Sequence, residues 1–146
     1  MEFEGFTLPD DLYYHEEHSW ARLENDGTVT VGMNDFFQKE AGEIVFVDMP
    51  EEDDEVEQGE VCGKLQSRKW IGKLCAPLSG AVIELNEELD DDFTRINSDP
   101  YGAGWIFKMT ASRPEEELAN LYHGESVRPW IEAELAKAAE ERAKSS

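Results

Sequence analysis

Val61-Cys62-Gly63-Lys64-Leu65-Gln66-Ser67, then Arg68-Lys69-Trp70-Ile71, then Gly72-Lys73-Leu74-Cys75-Ala76, reads as two short strands around a four-residue connection. A lysine at the tip of such a hairpin is ordinarily a solvated surface charge. The same position is what a swinging arm requires. A modified amine must clear the fold while rigid flanking strands present it to a modifying enzyme and to partners. Spacing alone leaves both readings open.

The flanks carry the same short-strand pattern. Trp20 to Glu24 and Thr28 to Met33 bracket Asn25-Asp26-Gly27, where glycine accepts the positive φ of a tight turn. Asn34 is placed to cap a short helix through about Ala41, and Gly42 ends it. Glu43 to Met49 is a strand with Ile44 and Phe46 on one face and Val45 and Val47 on the other, so burial on both sides is expected. Pro50 and Glu51 to Glu55 make an exposed loop. Pro77, Ser79 and Gly80 turn the chain into a strand over Ala81 to Leu85, Asn86 to Asp92 is a short helical or loop segment, and Gly104 to Met109 closes the set. Strands and turns so spaced predict a small β-sandwich or barrel-like fold.

Ser112-Arg113-Pro114-Glu115 then has the form of a capping box opening a helix to about Leu121, and Ser126 starts a second with Trp130, Ile131, Leu135 and Ala138 at helical spacing. Its end, Ala139 to Ser146, loses apolar residues and is expected to fray. The organisation predicted is one domain over 1–146, with a β core over 13–111 and helices over 112–146 packed on it.

Charge is unevenly spread. Of a net −21, residues 1–60 hold 19 acids against Arg22 and Lys39, hence −17, whereas residues 61–112 hold seven acids and six bases, hence −1. Lys64 to Lys73 contains Lys64, Arg68, Lys69 and Lys73 and no acid. So acidic a chain is expected to repel nucleic acid and anionic membrane. With no apolar run near a membrane span and no secretory signal, a soluble cytoplasmic protein is expected.

A search for enzyme chemistry finds little. There is no glycine-rich phosphate loop, nucleophile elbow or zinc signature. His15 and His18 beside Glu16 and Glu17 are better read as local hydrogen-bonding groups than as a metal site, which needs three or four ligands. Cys62 and Cys75 read as small apolar residues, with a chance of facing each other across the hairpin. No catalytic or metal residue is assigned.

Landmarks in order along the chain then carry a resemblance: His18-Ser19-Trp20; Thr30 to Met33 with Asp35 and Gln38; Gly42 to Pro50; Val56 with Gly59-Glu60; Ser67 with Lys69; Ala76 to Gly80; Val82 to Asn86; and Asn97 to Gly102 with Gly104-Trp105. From about Tyr13 to Leu121 the chain resembles the glycine cleavage H protein family. The resemblance implies a mainly β, lipoyl-domain-like flattened barrel of two antiparallel sheets with short helices and a C-terminal helical extension. It also implies a non-catalytic carrier with lipoate attached covalently to Lys69, and a lipoate ligase or lipoyl-assembly enzymes as partners, with dihydrolipoyl dehydrogenase as a further candidate.

The departures concern charge. The family motif around the lipoyl lysine is Glu-Ser-Val-Lys-Ala, with an aspartate four residues after the lysine. That aspartate and the glutamate of His-Glu-Trp help hold the aminomethyl group. Here those positions are Lys73 and Ser19, and the first glutamate of the motif is Gln66. A protonated amine on the arm would be repelled by Lys73 and Arg68, at ~1 kcal/mol for each close like-charge contact in water. An anionic, sulfur-bound cargo reverses the sign. On this ground the chain looks similar to the lipoate-binding proteins of bacterial sulfur oxidation, partners of the heterodisulfide-reductase-like (sHdr) complex, which carry sulfur intermediates. The alternatives are a glycine cleavage H protein and an unlipoylated H-like binding module.

The acid-rich first 60 residues should repel one another until salt screens them, the Debye length being ~10 Å at 0.1 M. The melting temperature should therefore rise between dilute buffer and moderate NaCl. A flat or falling trend would mean that the carboxylates are already dispersed or paired.

Overall fold

The fold is taken from a computed structural model, which describes residues 2–69 and 71–145, with the backbone alone for residues 142, 144 and 145. Trp70, in the predicted connection, lies outside the described residues.

A small hairpin of β1 (Glu2–Phe3) and β2 (Phe6–Thr7) opens the chain. There follow β3 (Tyr13–Tyr14), β4 (Ser19–Leu23), β5 (Thr28–Met33), helix α1 (Asp35–Ala41), β6 (Ile44–Asp48), β7 (Glu55–Val56), β8 (Val61–Ser67), β9 (Ile71–Cys75) and β10 (Gly80–Leu85). A 3-10 turn (Glu87–Asp90), α2 (Arg95–Ser98), β11 (Phe107–Ala111), α3 (Pro114–Leu118), a second 3-10 turn (Gly124–Ser126) and α4 (Val127–Ser145) complete it. A six-stranded sheet in the order β3-β4-β5-β11-β10-β7 and a three-stranded sheet β6-β8-β9, both antiparallel, form the mainly β sandwich.

Two apolar clusters hold these elements. The first lies within the sandwich and includes Val29, Val31 and Met33 of β5 with Leu65, Leu74, Val82, Phe107 and Met109, all nearly solvent-free. Residues two apart along each strand supply it, as alternation requires. The second joins Leu8, Leu12, Tyr14, Trp20 and Phe36 to Val127, Trp130 and Ile131 of α4. It is what fixes the C-terminal helix. Trp130 stacks on Tyr122 at 4.8 Å, and Tyr14 and Tyr122 exchange backbone hydrogen bonds of 2.8 Å in both directions.

Several expectations hold in detail. The Asn34 side chain accepts from the Phe37 N–H at 2.8 Å and caps α1, and Gly42 ends that helix at φ 81°. Others do not. β6 is buried on one face only: Val45 and Phe46 are both exposed, because β6 is a sheet edge and its register shifts between Ile44 and Phe46, turning two successive side chains outward. The capping box at Ser112 does not form. The Ser112 N–H donates instead to the Ser79 carbonyl at 2.9 Å, extending the β10–β11 pairing, so Arg113 takes the cap position and the helix stops at Leu118. Helix α4 runs on to Ser145 although its last turns carry little apolar surface. The β1–β2 hairpin adds to the strands that the sequence pattern predicts.

Gly32 is fixed by packing. A Cβ there would lie 2.6 Å from Trp20 Cζ2 and 2.8 Å from Cε2, and the fully buried indole cannot retreat while its Nε1 donates to the Met33 carbonyl at 3.0 Å. Gly32→Ala should lower stability by about 2 kcal/mol, as overpacking does. Equilibrium urea unfolding measures it, and an unchanged midpoint would show that the Trp20 ring is free to shift.

Candidate functional site

Lys69 stands at the tip of the β8–β9 hairpin, exposed, with its N–H donating to Ser67 Oγ at 3.2 Å. The strands below it are anchored, since Leu65 and Leu74 point inward and are almost fully buried. The lysine does not extend freely. It lies over the end of α1, so that a Cβ on Gly42 would be 3.6 Å from Lys69 Cε and 3.8 Å from Nζ. Asn97 braces this support. Its Nδ2 donates to the Gly42 carbonyl at 2.7 Å and to Gln38 Oε1 at 3.1 Å, while its Oδ1 accepts from the Ile44 N–H at 2.9 Å. It ties α1 to β6 beside the tip. In the sequence Asn97 is only a landmark, because its partners lie more than 50 residues away.

The basic island separates on folding. Arg68 is ion-paired with Glu43, Nε to Oε2 2.7 Å, just past the end of the β6–β8 pairing. Lys64 and Lys73 pair directly across β8 and β9, one outward row further from the tip than Gln66 and Ile71. Ser19 is fully buried, and its hydroxyl has no hydrogen-bond partner among the described residues. A carboxylate placed there would have to be desolvated, at a cost of several kcal/mol.

Helix α1, on whose end Lys69 rests, also forms one wall of a cleft of about 570 Å³, with α4 opposite. Its floor is aromatic: His18, Phe36, Tyr122 and Trp130. Its rim carries Glu16, Glu17, Glu40, Glu134 and Glu141 with Lys137. Phe36 and Glu40 fall on the same face of α1, one turn apart, and Glu40 precedes by two residues the glycine over which Lys69 rests. The cleft is assembled from four separate parts of the sequence, so no local pattern predicts it.

The remaining candidates play structural parts. His15 Nδ1 accepts from the Glu17 N–H at 3.1 Å, and burial pulls the imidazole pKa down. His18 sits between Phe36 and Trp130, at 4.8 and 5.1 Å; Asn34 Nδ2 donates to its Nδ1 at 3.1 Å, which leaves Nε2–H to donate to Glu134 at 2.8 Å. Cys62 and Cys75 are free thiols, and burial raises both, Cys62 to about 12, so neither is a ready nucleophile. No cluster of metal-ligating side chains and no helix long and apolar enough to cross a membrane occurs among the described residues.

An antiparallel sandwich that presents one lysine at a hairpin tip, over a braced helix end, is the architecture of a lipoyl carrier. Comparison with known proteins gives the family. The chain belongs to the glycine cleavage H-protein family, which it matches over residues 12–134, and whose members are non-catalytic carriers with lipoate attached covalently to a lysine. It is 44% identical over 133 residues to the probable glycine cleavage system H protein of Pyrococcus abyssi, covering 91% of this chain and 98% of that one. It is 39% identical over 125 residues to the glycine cleavage system H protein of Staphylococcus carnosus, covering 86% and 98%. The crystal structure of a glycine cleavage system H protein from Mycobacterium marinum superposes with a TM-score of 0.69 at 36% identity, covering 72% of this chain and 87% of that one.

The His18–Glu134 contact closes the cleft wall and has a pH signature. The His18 hydrogen bond, opposed by burial and aided by Lys137, holds the Glu134 carboxyl below its usual range. Its folded pKa is therefore below its unfolded one. The contribution is whole above the ordinary carboxylate pKa and is lost as pH falls through the depressed folded value. Glu134→Gln should cost about 1 kcal/mol at neutral pH, and the gap from wild type should close in acid. Urea midpoints measured from neutral pH down into the acid range test this; a constant gap would place the cost in packing alone.

Proposed function

We propose that Lys69 carries the lipoyl group and that the loaded arm transports an aminomethyl group within a glycine cleavage system. The attached group supplies a dithiol end at which the cargo is taken up and handed on. The chain's own residues expose the attachment lysine at the hairpin tip, seat it over Gly42, which Asn97 braces, and offer the cargo a place to rest. Lys69 suits this role because it is exposed at the end of two anchored strands, and its neighbour Ser67 closes the turn with a hydrogen bond.

The observation that carries the cargo reading is the cleft. Five carboxylates and one ammonium rim it among the described residues. A protonated amine held there gains ~1 kcal/mol per carboxylate at 4 Å in water, and more over a dry aromatic floor. The names of the relatives point the same way.

A second reading, anionic sulfur cargo handled with an sHdr-type complex, is favoured by one observation: Ser19, Gln66 and Lys73 stand where the family has carboxylates. Two features weaken it. Arg68 is ion-paired with Glu43, so the field at the arm is less positive than the composition of Lys64 to Lys73 implies. The acids of the cleft would repel an anion.

A reconstituted glycine decarboxylation assay separates the readings. Lipoylated wild-type protein should support turnover, and Lys69→Arg should abolish it with the fold intact, since an exposed tip side chain contributes little to stability. Glu17→Gln combined with Glu40→Gln should slow transfer roughly tenfold to thirtyfold, as two contacts of ~1 kcal/mol each predict if independent. If fully lipoylated wild type is inert with the glycine enzymes but takes up and releases sulfane groups with an sHdr-type complex, the second reading replaces the first.

A further inference from the structure

The outward face of the β6-β8-β9 sheet has a pattern that the carrier role does not itself require. In the row next to the tip, Phe46, Gln66 and Ile71 lie side by side. Phe46 is 50% and Ile71 64% exposed, the two most open large apolar side chains among the described residues. The next outward row is Asp48, Lys64 and Lys73. Neither Lys64 nor Lys73 has a carboxylate within ion-pair distance among the described residues, although the chain carries 34 acids against 13 bases. Lys64 has Asp48 opposite it on β6 and Lys73 opposite it on β9, so the row keeps a net positive charge of one, at its β9 end, where like charges face each other across the strands. A fold that keeps them there, behind an open apolar row, has a face complementary to something apolar and negative.

We infer that this face is the docking surface for the enzyme that attaches the lipoyl group. That enzyme is predicted to meet it with an apolar pocket edged by carboxylates. This rests on the reading of Lys69 as the modified lysine. The choice of occupant follows from the hairpin: an enzyme closing over Lys69 must lie along β8 and β9, and their inner sides are filled by the core through Leu65 and Leu74. On these two strands the outward rows are what remains for contact. The long-range field of a −21 chain would draw a basic partner, so an acidic-edged partner must gain its specificity at close range, through Lys64 and Lys73.

The sign of a charge reversal tests the inference. The rate of lipoyl transfer to unmodified protein by its cognate lipoate ligase is read by intact mass, for wild type, Lys64→Glu/Lys73→Glu, Lys64→Arg/Lys73→Arg, Phe46→Ser/Ile71→Ser and a distant control, Arg128→Glu. The Glu pair should lose about tenfold in kcat/KM, mainly through KM, with circular dichroism unchanged. The Arg pair and the control should match wild type, and the Phe46 and Ile71 change should lose severalfold. Amide shifts of labelled Lys69→Arg protein on adding ligase should cluster on β6, β8 and β9. A Glu pair as fast as or faster than wild type would mean that the ligase is neutral or basic at this face, and would overturn the docking surface alone. Wild type that gains no lipoyl group on Lys69 would instead overturn the carrier reading, and the docking surface with it.

Discussion

The structure depends on the pairing of β8 with β9. Leu65 and Leu74 drive those strands against the sandwich, and the cross-strand register then leaves one lysine at the end of a stiff two-stranded support. An isolated hairpin of this length would be marginal in water. Here it is the centre and edge of a three-stranded sheet, its inner face sealed by the main core. A loose support would spread Lys69 over many orientations, and each partner would bear the entropic cost of selecting one. The anchoring by Leu65 and Leu74 removes most of that cost in advance.

Charge is arranged around that support in three zones. Acids dominate the bulk surface and the cleft between α1 and α4, Arg68 is ion-paired with Glu43 near the tip, and Lys64 with Lys73 outweighs Asp48 in a small, net positive row on the outer sheet face. Different sides of one lysine thus carry different potentials. Composition alone averages them into a single basic island.

What is legible in the sequence is what local physics controls. The Asn34 cap, the Gly42 stop, the Asn25 to Gly27 turn and the strands on either side of Lys69 each follow from a few adjacent residues. The mainly β class follows from the same signals repeated. The misses are long-range. Ser112 surrenders its capping role because Ser79, 33 positions earlier, offers its amide a strand partner. The exposure of Phe46 depends on β6 being an edge, which no local pattern states. The cleft needs α4 to lie against α1 through Phe36, Tyr122 and Trp130, and the brace needs Asn97 to reach Gly42.

The proposed function roots the arm at Lys69. Peptide mapping by mass spectrometry, on protein produced together with lipoate and its cognate ligase, tests this most directly. The lipoyl adduct is expected on the peptide containing Lys69, with Lys64 and Lys73 unmodified. An adduct on either of those lysines with Lys69 free, or no adduct on protein that has been shown to be folded, would contradict it.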